Sequence, residues 1–439
     1  MYEQIDETAA HRQPDDVVTV MTVDNLERIN FHDASATAEP EDRILPRVRD
    51  SASGHRKRGD RSRIARGTKR RIARGTKRRI ARGAKRRIAR GTKSRARGGV
   101  RPVRRRRAIA AVRNAYAAGT KDGRSAASHG DRWISAEAAL KRRMNDSWTR
   151  WWRRQGSPRD IQAILRCGAA YRDGYLQAVG FPGRSWLPVP LTSSASAVVC
   201  TSDGTGALYA VLEQLSRLPL EEVVVVLHGG EKESLRLARS NPEAHVVSHP
   251  DTFERDADRA VGANVTRSDI VLFVGADTVV TAERLIPFLL AADAGADVVL
   301  DDTTPQLGIF RNWSGTAKIQ AFLNASFGRN DLRANCVGVL PHALSGRAIR
   351  QIGAAVLSEP AKAQAELLHR GLQVKVCSAA GALSWQRSNR SSGEEAGERT
   401  KLVAGDHLEA WRHTMSSQGN RLSLPDHNRR RIAATEGEI

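Results

Sequence analysis

Three short segments place residues able to do chemistry at the ends of apolar runs. Val199-Cys200-Thr201-Ser202-Asp203-Gly204, Leu227-His228-Gly229-Gly230 and Val274-Gly275-Ala276-Asp277-Thr278 each close a hydrophobic stretch of strand length. Glycine has no Cβ, so the first two segments let backbone approach a ligand closely. The third sets one carboxylate, Asp277, just beyond an apolar run, and Asp301-Asp302 follow the next one. Carboxylates in such positions suit Mg2+ or Mn2+, which take oxygen ligands and bridge phosphate oxygens.

Those ends need a sheet to hold them together. The pattern predicts strands over residues 195–201, 222–228, 244–248, 269–275 and 297–301. It predicts helices between them over 206–216, 231–240, 253–265 and 282–294. Continuous apolar strands alternating with amphipathic helices imply a parallel sheet covered on both faces. Ligands bind such sheets outside the carboxyl ends of the strands, where the three segments lie.

The rest of the 439 residues divides by composition. Residues 1–54 read as an acidic, disordered leader, with a polar opening unlike a secretory signal. Residues 55–107 form an Arg/Lys-rich arm in which Ile-Ala-Arg-Gly-(Thr/Ala)-Lys-Arg-Arg recurs from Ile64, Ile72 and Ile80 and begins again at Ile88. From Arg56 to Arg107 there are 26 Lys/Arg and one acidic residue, so the whole excess of +23 resides there and the remainder is near neutral. Each repeat offers a single Ile to bury, too little to offset chain entropy. The arm is either a solvated tether or a contact to a polyanion or anionic surface, without the aromatics that base stacking needs.

Residues 108–190 read as helices over 108–118, 136–152 and 158–179, then a proline-rich linker. Trp148, Trp151 and Trp152 share a helix face, predicted to pack this region onto the next domain. Tyr116 with Gly119 is faintly echoed by Tyr171 with Gly174. Residues 191–385 are the sheet domain, and 386–439 a loop, a helix from 401 and a polar tail. Four scattered cysteines exclude a disulfide framework or Cys-based zinc knuckle. Cys200 and Cys377 read as buried thiols. With no apolar run of spanning length, a cytoplasmic protein, peripheral at most to an anionic surface, is expected.

In the order of its elements and its local residues, the segment 195–380 resembles the family 2 glycosyltransferases of the GT-A fold. The stretch Arg259-Ala-Val-Gly-Ala-Asn264, then Ser268-Asp269 and the apolar run to Asp277, is similar to the family's helix, strand and D-x-D metal motif. Leu340 to Ile349 and Gln364 to Val376 are similar to its acceptor half. The resemblance implies a mostly parallel GT-A-like sheet flanked by helices. It implies transfer of a sugar from a nucleotide-sugar donor to a glycan or protein acceptor, assisted by Mn2+ or Mg2+ and inverting the anomeric centre.

By that resemblance Asp277 holds the metal, joined by His407 folding back from the C-terminal segment. Thr201, Asp203, His228, Gly229, Arg259, Asn264 and Ala276 bind the donor, and Glu359 or Asp302 takes the acceptor proton. Three departures stand out. The D-x-D motif is reduced to Gly275-Ala276-Asp277, the usual acidic residue after the second strand is absent with His228 near its place, and the usual Glu-Asp pair is not evident, Glu359 before Pro360 being its nearest match. A second reading therefore keeps the fold as a non-catalytic glycan- or nucleotide-binding scaffold. A third places function in the basic arm, as a polyanion-binding protein. Other readings of single residues are a helix cap at Gly405 to Glu409, loop packing for His342, and phosphate contact or plain solvation for Arg259 and Arg347.

Overall fold

The computed structural model describes residues 100–128, 137–156, 160–201, 204–229, 232–249, 256–377 and 394–422. The acidic leader, the repeats of the basic arm, Asp203, the loop preceding the last helix and the polar tail lie outside the described residues.

Three helices open the chain: α1 (Val100–Ser128), α2 (Glu137–Arg154) and α3 (Ile161–Val179). The sheet region follows as β1 (Ala195–Cys200), α4 (Leu208–Ser216), β2 (Glu222–His228), α5 (Lys232–Arg239), β3 (Ala244–His249), α6 (Ala257–Val265), β4 (Ile270–Gly275), α7 (Ala282–Asp293) and β5 (Val298–Asp301). Then come α8 (Thr304–Leu307), α9 (Gly315–Ser326), β6 (His342–Ser345), α10 (Gly346–Ile352), α11 (Pro360–His369), β7 (Val374–Cys377) and α12 (Glu394–Gln418).

The seven strands run in the order β3-β2-β1-β4-β6-β5-β7. All neighbours are parallel except β6, which pairs antiparallel with both β4 and β5. The order reverses at β1–β4, placing a topological switch point between these two strands. Alternation along β1 feeds both faces: Ala195, Ala197 and Val199 pack with α4 and α7, while Val198 and Cys200 pack with α6, α10 and α11. The valines of β2 are buried on both sides, each worth roughly 1.5–3 kcal/mol on transfer from water.

The five strands expected from apolar runs form, and two more join them. The short β6 was not expected as a strand: four residues that include His342 and Ser345 carry no apolar run, and the segment is held by its two neighbours. α1 continues past its expected end because Gly119 and Gly123 are contact points against α3 rather than stops. α12 starts before residue 401, so Gly405 to Glu409 lie inside a helix and do not cap its start. Cys200 is buried as expected, whereas Cys377 is half-buried.

The tryptophan face packs mainly within the helical layer rather than onto the sheet. Trp148 is fully buried, its ring 4.9 Å from that of Trp152 and 5.4 Å from that of Tyr171. Leu290 of α7 is the sheet-side neighbour of this cluster. Polar ties complete the docking. Lys141, 2% exposed, donates to Glu243 at 2.6 Å and to the Ser216 carbonyl at 3.0 Å. Asn145 Oδ1 accepts the Val189 N–H at 2.8 Å.

Candidate functional site at the carboxyl edge of the sheet

The carboxyl ends of β1 and β4 meet at the switch point and are tied by backbone. The Ala276 N–H donates to the Cys200 carbonyl at 2.8 Å, and the Ala207 N–H to the Ala276 carbonyl at 3.0 Å. Ala276 is therefore fully buried with its N–H committed to the sheet edge. Asp277 emerges directly after it, half-buried. Its carboxylate lies back over Gly275: a Cβ at Gly275 would stand 2.7 Å from Asp277 Oδ1 and 3.6 Å from a Leu340 methyl.

Thr201 begins the loop after β1. Its Oγ1 donates to the Val226 carbonyl at 2.7 Å, and its N–H donates to Asp258 Oδ2 at 2.8 Å. Asp258 is 1% exposed in the first turn of α6, the helix lying behind β1. The next residue, Arg259, is also buried. It pairs with Asp256 at 2.5 Å and donates from Nη2 to the Gly338 carbonyl at 3.3 Å. Asp256 stands in the left-handed region at φ 70°, which aspartate tolerates better than most residues. Arg259 is thus a buried organising cation, not a solvated surface arginine. Neither Asp256 nor Asp258 was singled out in the sequence, although two acidic residues at a helix start are a recognisable signal.

The segment before β6 links this half of the site to the other. Leu340 faces Gly275, Gly338 accepts from Arg259, and a Cβ at Gly338 would lie 3.5 Å from Pro360 Cβ. Glu359, the N-cap residue of α11, adjoins that contact and pairs with Lys362 at 3.4 Å. Asp406 of α12 closes the group. Its carboxyl is held above the usual range by burial first, then by the negative charges of Asp256, Glu359 and Glu409. Three carboxylates from three elements thus sit within electrostatic reach of one another, with Arg259 paired to one of them. Asp406 too was missed, because the segment around it read as a helix cap.

Other expected residues lie elsewhere. His228 is half-buried at the end of β2, in register with His249 of β3, and Gly229 follows it in the left-handed region at φ 79°. Asn264 is exposed on α6. Asp302 Oδ1 accepts the Thr304 N–H at 3.0 Å, which anchors the start of α8. His407 is buried, its Nδ1 2.7 Å from the Val403 carbonyl and its ring edge-on to Trp411. Arg347 belongs to the opposite edge, where it grips Asp297 at 2.6 Å and 2.7 Å before β5. His342 is a core histidine: fully buried, stacked on Phe273 at 4.9 Å, with Nδ1 3.1 Å from the Val339 carbonyl. Burial, and then Arg259, push its ring down to about 3.

Among the described residues no group of three or more His, Cys, Asp or Glu side chains forms a metal cage. The donor set instead fits a cation delivered with a diphosphate, since Mg2+ is commonly held by one or two carboxylates plus phosphate oxygens. Asp277 is the carboxylate so placed. No described helix is long and apolar enough to cross a membrane.

No curated protein sequence matches the chain. Among solved structures it is similar to glucosyl-3-phosphoglycerate synthase from Mycobacterium tuberculosis in complex with Mn2+, uridine-diphosphate and glucosyl-3-phosphoglycerate. The identity is 16%, over 54% of this chain and 82% of that one, with a TM-score of 0.38. It is also similar to mannosyl-3-phosphoglycerate synthase from Rubrobacter xylanophilus, at 15% identity over 63% of this chain and 85% of that one, with a TM-score of 0.37. The family described as Glycosyl transferase family 2 matches residues 196–345, from the second residue of β1 to the last of β6. Over that segment the chain is similar to glycosyl transferase family 2, and its sheet is the mostly parallel, helix-flanked one that the GT-A resemblance implied.

Proposed function

We propose that this protein is a glycosyltransferase that transfers a sugar from a nucleotide-sugar donor, with a divalent cation at Asp277. The observation that carries this reading is the position of Asp277: one carboxylate just beyond β4, at the switch point, inside the segment that matches the family. A bound Mn2+ or Mg2+ there would neutralise charge on the departing diphosphate. The chain's own part is to shape the pocket. Thr201 and the loop after β1, fixed by Asp258, would line the donor, with His228 and Gly229 at the neighbouring strand end. Arg259 would add positive potential from beneath.

Glu359 is the favoured acceptor-side base. It stands at a helix start, across Gly338 from Arg259 and within electrostatic reach of Asp406. One base and direct attack would invert the anomeric centre. Asp302 is the weaker candidate because its carboxylate serves the α8 turn. His407 is better explained by packing under Trp411 than by metal binding.

The test is a screen of sugar nucleotides with Mn2+ or Mg2+, reading thermal shift and slow donor hydrolysis together. A cation-dependent shift with hydrolysis, both lost in Asp277→Ala, is the expected result. A shift that survives Asp277→Ala without hydrolysis would favour the second reading, a binding scaffold. That reading draws support from the pairing of Glu359 with Lys362 and from Pro360 beside it.

A further inference from the structure

We propose that the groove between α9 and α12 is a membrane-docking site that takes acyl chains of an anionic phospholipid bilayer. This inference stands apart from the glycosyltransferase reading. The groove encloses about 810 Å³ and is walled by Phe322, Leu408, Trp411, Met415 and Leu422. Phe322 is 60% and Leu408 64% exposed, although large apolar side chains on a water-facing surface usually mark a contact site when they cluster. Phe322 and Trp411 meet edge-to-face at 5.0 Å, so the two helices present one continuous apolar surface.

Charge selects the occupant. Arg412 and Arg421 line the groove, and no acidic residue does among the described residues. A bilayer bearing anionic headgroups offers apolar chains to the walls and negative charge to the arginines. Tryptophan and arginine around an apolar centre is the arrangement that settles at a membrane–water interface. One weak apolar anchor gives only marginal membrane binding, whereas an anchor plus a polybasic segment holds firmly. The same chain supplies the second signal, with 26 Lys/Arg between Arg56 and Arg107.

The full chain should be floated with phosphatidylcholine vesicles and with phosphatidylcholine–phosphatidylglycerol vesicles whose acyl chains are brominated, while tryptophan fluorescence is read. Binding to the anionic vesicles with bromine quenching, part of it lost in Trp411→Phe, is the expected result. The pair Phe322→Glu and Leu408→Glu should lower partitioning about tenfold at roughly 0.5 M salt, where electrostatic adhesion through the arm is screened to a few ångströms. Leu408→Ser is the milder variant, and circular dichroism checks that both fold. Three results would overturn the proposal. One is no vesicle binding at all. Another is binding without quenching that both variants leave unchanged, which would assign adhesion to the arm. The third is a solution dimer abolished by the same substitutions, which would make a second copy the occupant.

Discussion

The carboxylate of Asp277 rests against Gly275, where a Cβ would stand 2.7 Å from Oδ1. The absence of a side chain at Gly275 is what leaves that carboxylate its place. Gly275→Ala should force Asp277 into another rotamer, at a cost in folding stability of about 0.5–1.5 kcal/mol. The larger effect should fall on the cation-dependent thermal shift with donor, measured beside wild type. An undiminished shift in a folded Gly275→Ala variant would show that the orientation of Asp277 is immaterial.

Asp258 holds the loop that begins at Thr201. Asp258→Ala leaves the buried Thr201 N–H without its acceptor and should cost about 1–3 kcal/mol in urea denaturation. Asp258→Asn keeps an acceptor oxygen and should recover most of that loss. If alanine and asparagine cost the same, the hydrogen bond is not what matters at this position.

The echo between Tyr116-x-x-Gly119 and Tyr171-x-x-Gly174 becomes a reciprocal contact. Gly119 packs against the backbone carbonyl of Tyr171, and Gly174 against that of Tyr116. A methyl at either glycine would strike backbone, so each Gly→Ala change should destabilise by roughly 1–3 kcal/mol. The double variant should cost less than the sum, because the first clash already separates α1 from α3. Chemical denaturation of the two singles and the double checks this directly.

His342 ties stability to pH. In the unfolded chain its imidazole takes a proton near the ordinary value, while in the fold it does so only at about 3. Between those values the unfolded state binds the extra proton, so stability rises with pH, at about 1.4 kcal/mol per unit from this group. Its contribution is complete above the ordinary histidine range and is lost as pH falls towards 3. His342→Phe should flatten the dependence of the unfolding midpoint across that window. An unchanged slope would place the sensitivity in other groups.

Much of the sheet was legible before any coordinate. β1, β2, β4 and β5 are apolar runs with one demand each, burial on both faces, and such runs declare themselves locally. Asp277 was legible for the same reason, as the first carboxylate after a buried strand. Equally local is the concentration of positive charge between Arg56 and Arg107. What tertiary structure alone decided depends on groups far apart in the chain. β6 exists because β4 and β5 flank it, and its own four residues would not form a strand. Arg347 read as a solvated arginine or a phosphate contact until Asp297, 50 positions away, claimed it at the opposite edge. Arg259 with Gly338, Asp258 with Thr201, and Asp406 beside Glu359 join elements whose separation no periodicity records. Strand and helix patterns report how one segment meets water and core. Partner choice among charged side chains is set by which segments the closed sheet brings within hydrogen-bond and Coulomb range, and that is a property of the whole fold.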